Sequence, residues 1–459
     1  MRGVPEGEKI RVAIADDSAL IYSDNYREGW RRGFLGVGCE VCVFDIAKMR
    51  TSTRGRMSRY SAAGGWGKRL AASIVAWRPH LVWCHHGRAA SDQAFLDALK
   101  KAGIHVAVYL CDEPYETGET AAYSPLFDSV FTMDQCTMDT HHRSRSGRHG
   151  VYYLPPCADT ERFARRAYFI EAIKGGEARD FARSQTAFFL GNADLIPRRE
   201  WLEPLERVLN GVDIRYFPHR QVKGRPVAKG HPHWIGTDEH AGLYSKCAVG
   251  LNVHRDPAIT AECHRTRVRG RDPRRLPVPA GITLCQQMPA REGTGFWNDG
   301  NLPASHVNPR FFEMAACGTC VVSDDHRSEL ARMFPMAPRA QDPAHFMELV
   351  AHYMVHLDEA EAIGQACSEL ILKRHTYLHR ACEVLIRLGF KESRVGALPS
   401  FLGEPQDWLS PQDSNELGAK SSSAPTGPSA RWSPRYGMSL ISQSGDPSVA
   451  SSINAPPPW

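Results

Sequence analysis

No stretch of this 459-residue chain approaches the roughly 18 uninterrupted apolar residues of a membrane-crossing helix, so no span is expected. Its start, MRGVPEGEKIRVAIADD, reaches acidic residues after a very short apolar run. It lacks the apolar core and small-residue cleavage site of a secretory signal, which makes the cytoplasm the expected compartment. Thirteen cysteines, an odd number with no such signal, read as reduced thiols. Two C-x-x-C spacings occur, Cys39/Cys42 in a strand pattern and Cys317/Cys320 at a helix-to-strand turn, and no third pair joins them. They read as small core residues rather than zinc ligands, and no metal is expected. A formal charge of +5 is modest for this length and neither demands nor excludes an acidic partner. No nucleic-acid partner is expected, and no internal repeat is apparent.

What charge there is concentrates in HRTRVRGRDPRRLP, residues 264–277, with six arginines from Arg265 to Arg275. This is a solvated, self-repelling loop or a surface that attracts phosphates. Around it, elements alternate. KIRVAIAD, CEVCVFDI, HLVWCHHG, IHVAVYLCDEP, FDSVFTMD and GVYYLPPC read as strands, and helical patterns separate the earlier ones. The pattern restarts with TAFFLGN, VDIRYFP and AVGLNVHRD, and helices close the chain. Such alternation implies an α/β fold of two halves with parallel sheets, which bind ligands beyond the carboxyl ends of their strands. The stretch from Asp256 to Val307 is longer than an ordinary connection and should rise at the cleft mouth, part of it ordering over a ligand. Residues 396–459, rich in Ser, Pro and Gly, are expected to be disordered.

RVAIADDSAL resembles the opening of a response-regulator receiver domain, with Asp16 and Asp17 as the paired acids. The strand that should carry the phosphorylated aspartate ends in His85 and His86 instead, so the two acids are read as ending a strand at the rim of a cleft. The more informative segment is HVNPRFFEMAACGTCVVSDD, from His306. Asn308 suits a helix cap, Pro309 the first helical position and Gly318 the helix stop. A helix N-terminus favours phosphate through its free N–H groups and partial positive charge. Glu313, one turn in, stands among Phe, Met and Ala, where a carboxylate has no business unless it accepts hydrogen bonds. Two adjacent ribose hydroxyls would supply them; the alternative is an intrahelical ion pair with Arg310.

These stretches, with YREGWRRGFLGVGCEVCVFD, CDEPYETGETAAYSPLFDSVFTMD, YLPPCADTERF, LYSKCAVGLNVHRD and RHTYLHRACEVLI, occur in an order that resembles glycosyltransferases of the GT-B fold. The resemblance is nearest to the spore-maturation CgeB-like group and covers about residues 10–390. It implies two Rossmann-like domains facing across a cleft. Residues 8–170 would hold the acceptor, and residues 183–392, with the basic insertion 256–307, would hold a nucleotide-sugar donor. By position Glu313 looks like the glutamate that holds the donor ribose, and Gly318 belongs to the same E-x-x-A-x-G pattern. An earlier glutamate that many relatives carry eight residues before is Ser305 here. The leaving diphosphate needs cations and N–H donors, for which Arg198 or Arg199, Arg255 and Arg310 are candidates, with Gly191, Asn192, Asn252 and Asn308 beside them. The fold usually works without a metal or other cofactor. Asp112, His85 and His86, at strand ends facing the cleft, are candidate general bases. The acceptor stays open. Two other readings remain: a sugar-nucleotide epimerase-like enzyme of the same fold, or a non-catalytic protein that binds nucleotides or nucleic acid.

Overall fold

Two parallel sheets follow one another along the chain. The computed structural model describes residues 8–17, 23–51, 65–87, 90–146, 150–164, 183–191, 198–216, 221–222, 225–226, 237–255 and 302–390. The arginine run, Asn192, the stretch 165–182 between the halves and the tail 396–459 lie outside the described residues.

The first sheet is built from β1 (Arg11–Asp16), β2 (Glu40–Asp45), β3 (Leu81–His85), β4 (His105–Leu110), β5 (Ser129–Thr132) and β6 (Val151–Tyr153). Its order is β2-β1-β3-β4-β5-β6, and every pair is parallel. Burial on both faces explains the near-continuous apolar runs of β1, β3 and β4. One face packs against Trp30 and Phe34 of helix Ser23–Gly36; the other packs against Leu70 and Ile74 of helix Trp66–Trp77 and Phe95, Leu96 and Leu99 of helix Gln93–Lys101. The last of these begins where sequence chemistry places it, with the Asp92 carboxylate accepting from the Phe95 N–H at 2.8 Å.

The second sheet holds β7 (Ser184–Gly191), β8 (Val212–Tyr216), β11 (Cys247–Asn252), β12 (Cys320–Asp324) and β13 (Arg339–Ala340); between β8 and β11 the chain forms a small antiparallel pair, β9 (Gln221–Val222) with β10 (Arg225–Pro226). Its order is β13-β12-β11-β7-β8, again all parallel. Both sheets share one winding, in which the second strand lies outside the first and the third lies on the first strand's other side. The order therefore reverses between β1 and β3, and again between β7 and β11. A doubly wound sheet opens its ligand crevice at such a reversal, beyond the carboxyl ends of the flanking strands. In the first lobe that point is Asp16 and His85; in the second it is Gly191 and Asn252.

The lobes are tied in two ways. The closing helix, Tyr377–Arg387, falls within the stretch that the sequence assigns to the second half, yet Ala381, Val384 and Leu385 pack in the first lobe's core. Glycines permit this: a methyl group at Gly29 would strike the Tyr377 ring, and one at Gly33 its carbonyl. The returning chain lies beside the outgoing connector, with Ala158 N–H donating to the His375 carbonyl at 2.9 Å. Elsewhere, Asp134 of the first lobe accepts from Ser305 Oγ at 2.6 Å and from His306 Nδ1 at 2.8 Å, while Tyr153 Oη donates to Glu329 at 2.6 Å. Ser305 is thus part of the joint between the lobes.

Candidate active site

At the first lobe's reversal point, β3 ends in two histidines with different surroundings. His85 is 5% exposed and stacks on Tyr26, ring centroids 4.4 Å apart. Its Nε2 lies 3.5 Å from Cys111 Sγ, and burial pushes its pKa down to about 3, so the ring is neutral and weakly basic. His86 takes a left-handed backbone, φ 57°, which turns its imidazole to Asp112, with Nε2 2.9 Å from Oδ2; Glu116 stands 3.6 Å from the same nitrogen. Asp112 and Glu113, adjacent in CDEP, part company here. Asp112 stays partly exposed, whereas Glu113 is fully buried among Thr117, Thr120 and His141 and fixes the turn.

Among the described residues, the ligating atoms of His86, Cys111 and Asp112 come within 4.8 Å of one another. The His86 and Asp112 atoms are already engaged with each other. Burial and the neighbouring Asp112 and Glu116 charges push the Cys111 thiol well up, which keeps its proton on. The cluster is better suited to passing a proton than to offering a thiolate ligand.

At the second reversal point the charge is positive. Arg310 donates to the Leu190 carbonyl, and its guanidinium lies against Gly191, where a side chain would displace it. Arg198, 7% exposed, donates from Nε to the Val253 carbonyl at 2.6 Å. Burial, and then the charges of Arg255 and Arg310, bring its pKa down to about 9. The charges of Arg255 and Arg310 both bear on the buried Arg198 guanidinium. Arg199 side-chain placement lies outside the described residues.

The helix Pro309–Ala316 begins and ends as its sequence predicts. Asn308 Oδ1 accepts from the Phe311 N–H at 3.2 Å, and Gly318, at φ 69°, turns the chain out. Asn252 and Asn308 spend their amides inside the wall: Asn308 Nδ2 donates to Asn252 Oδ1 at 2.6 Å, and Asn252 Nδ2 donates to Ser323 Oγ at 2.8 Å. They shape the crevice rather than project into it. Glu313 is half-buried, and no hydrogen bond or ion pair to a described residue takes up its carboxylate. Burial raises its pKa to about 7 against the opposing pull of Arg310 and Arg162. Its charge also bears on Tyr26 of the first lobe and on Tyr244 of the second.

His254 supports this wall from behind. Its Nδ1 lies 2.9 Å from Asp324 Oδ1, and its Nε2 accepts from the Asn308 N–H at 3.4 Å, which fixes a neutral ring protonated on Nδ1. Burial lowers its pKa to about 4. For a base so depressed, the stabilisation is complete above its ordinary pKa of 6.5 and is lost as pH falls through about 4. His254's own share of the stability to thermal unfolding, about 3 kcal/mol, should therefore be lost across that window. His254→Gln should flatten this slope; an equally steep slope in the variant would show that other groups carry it.

Sequence reasoning passed over Tyr26, Tyr115, Glu116 and Arg327. Tyr115 and Glu116 sit in CDEPYETGE beside the acid that drew attention, and the aromatic after Pro114 was the available signal. A separate interlobe cavity of about 420 Å³, bordered by Gln135, Cys136, Ser305 and His326, contains none of the predicted site residues.

In this two-lobed α/β protein the second reversal point thus holds a cluster of cations near a helix N-terminus, with a carboxyl one turn in. A family model described as "Glycosyl transferase-like" matches residues 298–386, the stretch holding Glu313 and the closing helices. No curated protein matches the chain. Among solved structures, a sucrose-phosphate synthase from Thermosynechococcus elongatus is 9% identical at a TM-score of 0.45, covering 83% of this chain and 99% of that one. Anabaena Alr3699/HepE in complex with UDP-glucose is 11% identical at 0.44, covering 83% and 99%. A ugt transferase from Siraitia grosvenorii in complex with UDP is 10% identical at 0.34, covering 83% and 100%. The two-lobe assignment stands on the strand order itself. No described helix is long and apolar enough to cross a membrane.

Proposed function

We propose that this chain is a glycosyltransferase that moves a sugar, of the hexosyl class, from a nucleotide-sugar donor to a hydroxyl-bearing acceptor, without a metal. The observation that carries the reading is the convergence of Arg198, Arg255 and Arg310 at the second sheet's reversal point, beside the half-buried carboxyl of Glu313. Like charges held together this way are costly without an anion, and a diphosphate supplies one. Glu313 would accept from the ribose hydroxyls. In the first lobe, Asp112 accepts from His86 Nε2–H, so the ring takes the acceptor hydroxyl's proton on Nδ1, and Asp112 steadies the imidazolium that forms. The acceptor oxygen bonds to the sugar's anomeric carbon. The bond from that carbon to the diphosphate oxygen breaks, and its electron pair leaves with the diphosphate. The arginines meet the added negative charge, which is the task a metal would otherwise perform.

The order of motifs along the chain supports the finer placement in the CgeB-like group, since HLVWCHHG, CDEP and NPRFFEMAACG supply the residues at both reversal points. Eleven described cysteines are free thiols, which supports a reducing cytoplasm. Calorimetric titration with the diphosphates of uridine, guanosine, adenosine, cytidine and thymidine tests the reading. At least one should bind with a dissociation constant below about 1 mM, with or without EDTA. Binding by none would overturn the donor site, and binding abolished by EDTA would overturn metal independence.

A further inference from the structure

The rigid turn after β4 sends one side chain into the other lobe. Tyr115 follows the buried Glu113, whose carboxyl is bonded to Thr117, Thr120 and His141, so its backbone is fixed to the first lobe. Its side chain is not spent there. The Arg255 guanidinium lies over the Tyr115 ring at 5.0 Å from the centroid. The Tyr115 hydroxyl accepts from Arg327 Nη2 at 3.0 Å and lies 3.5 Å from the Arg255 carbonyl, to which Arg327 also donates. The residue is 5% exposed. On its own lobe its neighbours in sequence are Asp112 and Glu116, both against His86.

Arg255 has a like-charged neighbour in Arg198, which is buried and on which Arg310 also bears. Repulsion from Arg198 favours swinging the flexible Arg255 side chain out to water. The negative face of an aromatic ring opposes that movement and sets the plane of the guanidinium. The ring belongs to the first lobe, whereas the arginine belongs to the second. This ring contact with Arg255 therefore exists only while the lobes are docked.

We propose that Tyr115 is a positioning residue that makes Arg255's stabilisation of the leaving diphosphate conditional on closure of the acceptor lobe. The proposal rests on the donor-site reading above. It accounts for a tyrosine at this position as a coupling element: a donor held by the second lobe alone meets an incomplete cation set, and docking of the first lobe delivers the acceptor's base and Arg255 together. Charge on the diphosphate grows as the glycosidic bond breaks, so the effect falls on turnover rather than on donor affinity.

The test uses Tyr115→Leu, which removes the ring, and Tyr115→Phe, which keeps it, each checked for an unchanged melting temperature. In ligand-free protein, modification of Arg255 by phenylglyoxal, followed by peptide mass spectrometry, should be at least about fivefold faster in Tyr115→Leu and nearly unchanged in Tyr115→Phe. With UDP-glucose as donor, Tyr115→Leu should lower the rate of UDP release at least about tenfold with UDP affinity within about threefold, and Tyr115→Phe should retain most of the rate. Equal labelling in all three proteins would overturn the contact whatever the donor site does. A Phe variant as slow as the Leu variant would move the role to the hydroxyl and overturn the ring's part. Faster labelling in Tyr115→Leu with binding of none of the five nucleoside diphosphates by the wild type would overturn the donor reading and the leaving-group role with it, leaving only the contact. Unfolding of the Leu variant passes the decision to Tyr115→Met at the same readouts.

Discussion

Replacing His86 with alanine should slow sugar transfer by about 100- to 10,000-fold while leaving nucleoside-diphosphate affinity nearly unchanged. The expectation follows from the division between the two lobes. His86 stands in the first lobe with its nitrogen 2.9 Å from Asp112, whereas the cations and Glu313 belong to the second lobe. A base removed from the acceptor side raises the barrier for deprotonation without touching the diphosphate. Asp112→Asn should have the smaller effect in the same direction, since it keeps a hydrogen-bonding partner for the ring but not the charge that stabilises imidazolium. His85→Ala bears on a different property. That ring is buried, neutral and stacked on Tyr26, so its loss should lower stability before it lowers turnover. Steady-state rates and calorimetry on the three variants separate these outcomes. A His86→Ala enzyme with wild-type turnover would remove the histidine from the chemistry and leave the proton to pass to the departing phosphate.

The parts of this architecture that the sequence displays are local ones. Strand runs, the Asp92 and Asn308 caps and the Gly318 stop each depend on a few neighbouring residues, and the winding follows from strand–helix alternation. The parts it conceals depend on pairings far along the chain. Asn252 and Asn308 look like ligand-facing amides at a strand end and a helix start, but they meet each other across 56 residues and are consumed there. Arg183 looks like an ordinary boundary charge, yet its guanidinium donates to the carbonyls of Ser245, Cys247 and Cys317 and closes the bottom of the second sheet. Asp112 and Glu113 are indistinguishable by type, and one step along the turn sends them to opposite environments. Ser305 registers in sequence only as a missing glutamate; its bond to Asp134 in the facing lobe becomes visible only once both sheets are placed.

Glu313→Ala should weaken the best-bound nucleoside diphosphate by about 10- to 150-fold, the equivalent of roughly 1.5 to 3 kcal/mol for hydrogen bonds to a charged acceptor. The pH dependence supplies a sharper test than the magnitude. Burial raises this carboxyl to about 7 in the free protein. For an acid so raised, the neutral form's contribution to stability is complete below the ordinary value of 4.5 and is lost as pH rises through about 7. Ribose hydroxyls donate to the ionised form, so binding must release a proton wherever the free group still holds one. Affinity in the wild type should accordingly rise between about pH 6 and pH 8, and in Glu313→Gln it should not. The 2′-deoxy analogue of the same nucleotide closes the comparison. It should bind the wild type more weakly than the ribose form, and it should bind Glu313→Ala about as well, because the group that distinguishes the two is gone. If the deoxy penalty persists undiminished in the alanine variant, the ribose hydroxyls are held elsewhere, and the carboxylate's exposure toward the gap serves the acceptor or the sugar instead.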